Sequence, residues 1–325
     1  MKIAIYGAGA IGGYLGAELA QAGYDVSLIA RGPHLAAIRE RGLTLLIGGA
    51  TRNVKLHATD TPSELGVQDY VFVTVKANAA AALVEPMRPL LGPATAVVTA
   101  MNGIPWWYFY KLPGPFENRI LASVDPGGAQ WNGIGPARAI GCVVYPAAEI
   151  AAPGVIKHVS LNRFSLGEPD GGRSERVQRL ADALIKSNFS APVRTDIRDE
   201  IWIKLWGNLS FNPISALTHA TLDQMANDPN VRAVIRNMML EAKSVAERLG
   251  VRFAIDVERR IDGAGKIAGH KTSMLQDLES RRPMEIDPLV GAVQEMARLT
   301  DVATPTIDLV LSLVRAKARV AGLYR

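Results

Sequence analysis

The sequence predicts an α/β protein, with a doubly wound, largely parallel sheet and antiparallel additions in the N-terminal part and an all-α C-terminal part. Short apolar runs alternate with helical patterns over the first part of the chain, as they do in βαβ units. After residue 196 the pattern is helical almost throughout. A chain of 325 residues also exceeds what one core usually accommodates. We therefore expect two domains, residues 1–195 and residues 196–325.

The first domain begins with strands that alternate with helices. A helical stretch over residues 10–23 separates the first two strands, and one alanine-rich helix, "ANAAAALVEPMRPLLG" (77–92), separates the last two. This alternation predicts parallel strands joined by helical crossovers. The four predicted parallel strands lie within residues 2–6, 25–31, 70–76 and 95–103.

Residues 119–167 have a different pattern, in which strand-like stretches are separated by Gly and Pro turns. We predict that these stretches are antiparallel additions to the sheet. They are "RILASVDPGGAQW" (119–131), "ARAIGCVVYPAAEI" (137–150), "GVIKHVS" (154–160) and "RFSLGE" (163–168). An amphipathic helix within residues 173–188 and a closing strand at "APVRTD" (191–196) complete the domain. The helices of the second domain are predicted at residues 197–218, 229–249, 256–268, 286–299 and 305–320.

Composition and charge argue against several classes of function. Lys+Arg number 36 and Asp+Glu 31, a net charge of +5 without a long basic run, which indicates neither nucleic-acid nor membrane binding. No uninterrupted apolar stretch is long enough to span a bilayer, and the N-terminus is better described as a strand and turn than as a signal peptide. Cys142 is the only cysteine, and the histidine spacing resembles no zinc site. We expect a cytoplasmic protein without a bound metal.

A glycine motif follows the first strand. Gly7-Ala8-Gly9-Ala10-Ile11-Gly12 fits G-x-G-x-x-G, opens a helix, and is followed by a second strand within about thirty residues, as the dinucleotide-binding fingerprint requires. The first glycine permits the tight turn, the second allows a pyrophosphate to approach the backbone, and the third allows close packing of helix on strand. The amide groups at the helix N-terminus, including those of Ala10 and Ile11, would face the phosphates.

The end of the second strand indicates which nucleotide binds. An NAD site usually has Asp or Glu there for the ribose hydroxyls, but Asp25 lies at the wrong end of this strand. Arg31 lies at the right end and could pair with a 2′-phosphate. The sequence therefore favours NADP over NAD, although a solvated surface arginine remains the alternative.

One amine and two amides recur along a helix that is otherwise apolar. In "KLWGNLSFN" (204–212), Lys204, Asn208 and Asn212 recur every four residues and so lie along one side of a helix. Buried polar side chains are costly unless they have partners. The pattern alone fits two interpretations equally: a substrate site, or a lysine that reaches the surface beside asparagines that bridge helices.

Over essentially its whole length the chain resembles the ketopantoate reductase family, relatives of proteins with the 6-phosphogluconate dehydrogenase C-terminal type of helical domain. "KLWGNLSFNPISALT" (204–218) and "TSMLQDLESRRPMEID" (272–287) are the most specific motifs. Further matching stretches are "GAGAIGGYLGAELAQAG" (7–23), "VKA" (75–77), "NGI" (102–104) and "PGVIKHVS" (153–160). The resemblance implies a Rossmann-like first domain and a helical substrate and catalytic domain. It implies NADPH-dependent reduction of a 2-keto acid, of the 2-dehydropantoate 2-reductase type that makes pantoate in pantothenate biosynthesis.

The resemblance also assigns roles to individual residues. Lys204 resembles the family's catalytic lysine, and Glu285 would hold its amine in place while completing the substrate site. Lys76 matches a cofactor-contacting lysine, and Asn102 an asparagine beside the nicotinamide that also reaches the substrate. The remaining substrate-binding matches are Asn208, Asn212 and Ser273. Lysine suits the assigned role because an ammonium group can both stabilise and protonate the oxygen on which charge develops.

Several departures from the family pattern leave the exact substrate open. Met101 stands where glutamine is frequent, and an asparagine usual beyond residue 212 is replaced near Leu222. Many family members have an Asn-Gly pair after "EID" (285–287), where this chain has Pro288 and its neighbours. The stretch "PWWYFY" (105–110) adds five aromatic residues. Trp106 and Trp107 could line the substrate pocket or form a contact between subunits. A homodimer is the expected assembly if they form such a contact. The alternatives are a related NADP-dependent dehydrogenase of a larger or more apolar keto or hydroxy acid, and a non-catalytic NADP-binding regulator.

Overall fold

The computed structural model describes residues 1–324, which divide into two compact units. The first unit contains residues 1–120 and 125–197, and the second contains residues 121–124 together with the chain from residue 198 onward. The short segment 121–124 belongs with the second unit because the Glu295 carboxylate accepts hydrogen bonds from the Ala122 amide, at 2.9 Å, and from the amide and hydroxyl of Ser123, at 2.8 and 2.6 Å.

A seven-stranded sheet forms the centre of the first unit. Its order is β11-β8-β7-β6-β1-β2-β5, and all neighbours are parallel except the pair β11 and β8. The strands of the described residues are β1 Lys2–Tyr6, β2 Asp25–Ile29, β3 Leu43–Ile47, β4 Ala50–Val54, β5 His57–Thr59, β6 Tyr70–Val73, β7 Ala96–Thr99, β8 Ala139–Val144, β9 Ala147–Ala152, β10 Val155–Ser160 and β11 Phe164–Gly167. The doubly wound α/β sheet with an antiparallel addition confirms the predicted fold class.

A second sheet, which the sequence analysis missed, has the order β4-β3-β10-β9. It contains β9 and β10, which were wrongly predicted as additions to the main sheet. Pro146 separates β8 from β9, so the single strand predicted over 137–150 is divided between the two sheets. β10 pairs in parallel with β3 and antiparallel with β9.

The helices of the first unit lie between and beside these sheets. They are α1 Ala10–Gln21, α2 Gly32–Arg41, α3 Ala77–Ala80, α4 Val84–Met87, α5 Ala129–Gly133 and α6 Glu175–Lys186. α1 packs on the second sheet so closely that a Cβ on Gly13 would lie 2.8 Å from Ile156 Cγ1. α6 begins at Ser174, whose hydroxyl accepts the Val177 amide hydrogen bond as an N-cap.

Three predicted elements of the first unit were wrong. The long helix over 77–92 is divided into short α- and 3₁₀-helical turns, because Pro86 and Pro89 have no amide hydrogen to donate. The predicted strand over 119–131 is a turn, a 3₁₀ turn at Pro126–Gly128 and α5, because Gly127 and Gly128 adopt φ of +70° and +69°. The predicted strand over 191–196 forms only one isolated bridge, between Val193 and Leu166.

The second unit is helical, and its described residues contain no strand. Its helices are α7 Ile197–Thr218, α8 Leu222–Asn227, α9 Pro229–Arg248, α10 Val257–Gly265, α11 Ser273–Glu279, α12 Ala292–Leu299 and α13 Pro305–Val320, with a π-helical turn at Asp287–Gly291 before α12. α9 contacts α8, α10, α12 and α13. The sequence analysis predicted α7, α9, α10, α12 and α13 and missed the short α8 and α11. Within residues 1–324, no helix is both long and apolar enough to cross a membrane.

Candidate active site

The predicted cofactor-binding residues follow four neighbouring strands of the main sheet. The glycine loop follows β1, Arg31 follows β2, Lys76 follows β6 and Asn102 follows β7. These strands are parallel and adjacent in the order β7-β6-β1-β2, so their carboxyl ends lie along one edge of the sheet. From β1 the chain continues to β2 on one side, and it later returns to β6 on the other side of β1. The strand order therefore reverses between β1 and β6, and open α/β sheets bind ligands at such a switch point. The structure therefore brings these predicted residues to one edge.

The glycine loop has the geometry that its motif predicts. Gly7 adopts φ of +107°, and a Cβ there would lie 2.7 Å from Val75 Cγ1. A Cβ on Gly12 would lie 2.1 Å from the carbonyl oxygen of Gly7, so this glycine permits the close approach of α1 to β1. A Cβ on Gly9 would meet no atom within 4 Å, and no side chain caps α1 at this position. The open space and the uncapped amide groups fit a pyrophosphate at the N-terminus of α1.

Substituting these two glycines separates packing from binding. We expect Gly12→Ala to lower the free energy of unfolding by about 1–3 kcal/mol or more, since the methyl group would overlap with backbone. Gly9→Ala should unfold like the wild type but bind NADPH more weakly, because its methyl group enters the open space. Urea denaturation and fluorescence titration with NADPH measure the two effects. Equal stability of the two variants would contradict the packing argument.

Arg31 lies at the N-terminus of α2, directly beyond β2. Its side chain is exposed, and α2 has no side-chain cap at this end. Burial raises the pKa of Tyr6 at the end of β1, and the positive charge of Arg31 opposes that rise. A 2′-phosphate at this edge would meet both a guanidinium and a helix N-terminus.

His34 lies on α2 and connects this helix to the turn before β10 of the second sheet. The sequence analysis did not identify this residue. The Gly154 amide donates to His34 Nδ1 over 3.0 Å, and burial lowers the pKa of this histidine. Gly154 has φ of +76°, and its carbonyl oxygen accepts the Thr44 amide over 2.8 Å. The turn at Pro153 and Gly154, with which the motif "PGVIKHVS" (153–160) begins, thus contacts both α2 and β3 before the chain enters β10.

The polar stripe of the second unit lies along α7. Lys204 and Asn208 are half-buried, whereas Trp202 and Trp206 are completely buried. The Trp206 indole donates to the carbonyl oxygen of Met239 over 2.6 Å, which fixes α7 against α9. The two tryptophans therefore belong to the core of the second unit, and Lys204 and Asn208 lie on a less buried side of α7.

Asn212 and Ser273, which are distant in sequence, lie together in the second unit. Asn212 is 4% exposed, and its side-chain amide donates to Ser273 Oγ over 3.5 Å. One turn further along α7, Ser215 accepts a hydrogen bond from the Thr272 hydroxyl over 3.0 Å. Thr272 is also the N-cap of α11 and accepts the Leu275 amide. The start of α11 is thus joined to α7 at the far end of the stripe.

Glu285 is buried in a short segment before α12. Hydrogen bonds to the turn that follows it hold this segment in place. Two residues later, Asp287 accepts hydrogen bonds from Arg315 at 2.6 and 3.2 Å and from the Tyr324 hydroxyl at 3.0 Å. Burial, followed by the charge of Asp287, raises the pKa of Tyr324. Glu285 therefore lies two residues before the start of a π-helical turn that Arg315 of α13 contacts, and such turns are frequent at functional sites.

The aromatic run after Asn102 is part of the core of the first unit. Trp106, Trp107, Tyr108 and Phe109 are at most 2% exposed. Trp107 donates its indole hydrogen to Thr99 Oγ1 over 2.8 Å, and Trp106 packs edge-on against Trp131. An exposed subunit contact through Trp106 and Trp107, which the sequence left open, does not fit this burial.

Comparison with known proteins identifies the family of the chain. The family model for ketopantoate reductase PanE/ApbA matches residues 3–171, and the model for its C-terminal part matches residues 196–318. The chain belongs to the ketopantoate reductase family. This confirms the resemblance that the motifs indicated.

Individual relatives cover the chain from end to end. A 2-dehydropantoate 2-reductase of Mesorhizobium japonicum is 58% identical over 325 residues and covers 100% of both chains. A crystal structure from Ralstonia solanacearum MolK2, of a protein assigned as a ketopantoate reductase, has a TM-score of 0.94 at 43% identity and covers 99% of each chain. A ketopantoate reductase of Ralstonia eutropha JMP134 has a TM-score of 0.85 at 27% identity, covering 99% of this chain and 100% of its own. The fold and the family of this chain are therefore those of an oxidoreductase that acts on a CH–OH group.

Proposed function

We propose that the protein is an NADPH-dependent 2-dehydropantoate 2-reductase, which reduces the keto group of 2-dehydropantoate to the hydroxyl group of pantoate. The proposal rests on the 58% identity to the Mesorhizobium japonicum enzyme of that name, which extends over the full length of both chains. The cofactor edge of the first unit and the polar stripe of the second unit supply the residue types that this reaction needs.

The first unit holds the cofactor in this proposal. The amides at the N-terminus of α1, including those of Ala10 and Ile11, bind the pyrophosphate, and Arg31 binds the 2′-phosphate. Lys76 and Asn102, at the ends of β6 and β7, contact the nicotinamide half. When bound, NADPH supplies the hydride that adds to C2 of the substrate.

The second unit supplies the proton and orients the keto acid. As C2 accepts a hydride, its oxygen gains negative charge, and Lys204 stabilises that oxygen and transfers a proton to it. Glu285 holds the ammonium group of Lys204, and water restores its proton after each turnover. Asn208, Asn212 and Ser273 donate and accept hydrogen bonds to the carboxylate and hydroxyl groups without adding charge. The hydrogen bond between Asn212 and Ser273 supports this grouping.

A panel of 2-keto acids, followed by NADPH absorbance, tests the proposal. We expect the highest kcat/KM for 2-dehydropantoate, because a site that binds its hydroxyl group leaves polar atoms unpaired with analogues that lack it. The reverse reaction with pantoate and NADP⁺ is the internal control. A consistently higher kcat/KM for a larger or more apolar keto acid would replace this substrate assignment, and absence of NADPH oxidation with every member would overturn it.

The alternative functions have less support from the structure than from the sequence. The aromatic run favoured a larger or more apolar substrate, but its first four aromatic side chains, at 106–109, are packed in the core of the first unit. A non-catalytic regulator would not need an amine on a half-buried stripe beside amides. A homodimer and a cytoplasmic location stay predictions; light scattering coupled to size-exclusion chromatography measures the former.

A further inference from the structure

Gly207 interrupts the large side chains of α7 in the middle of the polar stripe. Glycine inside a helix is less favourable than alanine, so its presence there needs a reason. A Cβ at this position would lie 2.2 Å from Arg260 Nη2 and 3.0 Å from Arg260 Cζ. The guanidinium of Arg260 therefore occupies the space that any larger residue at position 207 would need.

The contact with Gly207 places Arg260 beside the Lys204 end of the stripe. Residues three apart on a helix are neighbours, with Cβ atoms about 5–6 Å apart, and they differ by about 60° around the axis. Gly207 has this relation to Lys204, and it directly precedes Asn208. A guanidinium that rests on Gly207 thus borders the face that carries the amine and the first amide.

α10 holds Arg260 in this position. Asp256 caps the helix by accepting the Arg259 amide over 2.8 Å. Glu258, two residues before Arg260, pairs with Arg232 over 2.6 Å and also with Arg236, both on α9. Because α10 is fixed at its first turn, the half-buried Arg260 side chain extends from a rigid support.

The positive charge of a guanidinium that borders the face carrying Lys204 favours an anionic ligand at that face. A guanidinium has five N–H donors in a planar fork that matches the two oxygens of a carboxylate. The substrate class of the proposed function has a carboxylate directly beside its keto group. We propose that Arg260 binds the substrate carboxylate as a bidentate partner and that Gly207 is the small residue that makes room for it, which leaves Lys204 for the keto oxygen.

The test measures binding of oxamate, a small stable analogue of a 2-keto acid, to the NADP⁺ complex by isothermal titration calorimetry. Arg260→Gln should weaken oxamate binding by at least about tenfold, the effect of hydrogen bonds to a charged group. Arg259→Gln, which removes the same charge from the adjacent exposed position of α10, should bind oxamate like the wild type. NADPH affinity and the melting temperature should be the same in both variants.

Two further variants decide the matter if Arg260→Gln fails to fold. Arg260→Lys keeps the charge and loses the fork, and Gly207→Ala keeps the arginine but forces its guanidinium to move by more than an ångström. Both should weaken oxamate binding. Oxamate affinity equal to the wild type in Arg260→Gln, or in both of these variants, would overturn the assignment.

This inference rests on the proposed function only for the class of its ligand. Turnover of 2-dehydropantoate by the wild type is measured separately. A protein that binds oxamate through Arg260 but does not reduce 2-dehydropantoate would contradict the substrate and support the role of Arg260. A protein that reduces 2-dehydropantoate but binds oxamate independently of Arg260 would do the reverse.

Discussion

The Lys204→Ala variant should lose about 10²–10⁴-fold in kcat on 2-dehydropantoate, the usual contribution of a positioned general acid. The loss follows because negative charge develops on the keto oxygen only as the hydride adds, and alanine can neither stabilise nor protonate it. NADPH affinity should stay unchanged, since the proposed cofactor residues belong to the first unit. Steady-state kinetics and fluorescence titration with NADPH measure the two quantities.

Two comparisons sharpen the test of Lys204. Lys204→Arg keeps the positive charge but its guanidinium does not release a proton, so a large loss in this variant would indicate proton transfer beyond simple charge. Lys266→Ala removes an exposed lysine of the same unit and should leave kcat unchanged. Asn208→Ala should act mainly through KM, because it removes a contact present before and during the reaction. Wild-type turnover in Lys204→Ala would show that the stripe of α7 is structural.

Arg31→Ala should lose most of the preference for NADPH over NADH, with NADPH affinity falling by about 10–100-fold as its charged hydrogen bonds are removed. We propose that the exposed guanidinium at the N-terminus of α2 is the group that distinguishes a 2′-phosphate from a hydroxyl. NADH affinity should change little, because NADH has no phosphate at that position. Dissociation constants of both cofactors, measured for the wild type and the variant, give the result.

Matched substitutions separate the role of Arg31 from general charge effects. Arg41→Ala removes an exposed arginine at the other end of α2 and should retain the preference for NADPH. Arg31→Asp should favour NADH, because a carboxylate at the end of β2 accepts hydrogen bonds from the ribose hydroxyls and repels a phosphate. Equal affinity of the wild type for NADPH and NADH would sink the assignment of Arg31.

Features that depend on neighbouring residues were predictable from the sequence. The glycine loop is a strand, a turn and a helix start within one stretch of chain, and the structure gives Gly7 its positive φ and Gly12 its close contact. The four-residue spacing of Lys204, Asn208 and Asn212 fixes a stripe on α7 because the helical repeat is constant. The long helices of the second unit followed from their apolar periodicity.

Features that depend on contacts between distant residues could not be predicted in the same way. The second sheet forms because β10 pairs with β3, and neither strand carries a local mark of its partner. In the strand predicted at 119–131, the local glycines form a turn, and in addition Ala122 and Ser123 bond to Glu295, which is 172 residues away from Ser123. Short helices such as α11 depend on their caps and on contacts such as that of Thr272 with Ser215.

The sequence by itself determined the family, the geometry of the glycine loop and the position of the polar stripe on α7. The motifs carry the family, and the spacing of residues within one stretch of chain fixes the loop and the stripe. The tertiary structure decided how these pieces are supported. It joined Asn212 to Ser273, anchored the turn after Glu285 to Arg315, and placed Arg260 in the space that Gly207 leaves open. These contacts arise from packing between helices that are distant in the chain, and the free energy of such packing leaves no periodic signal in either partner.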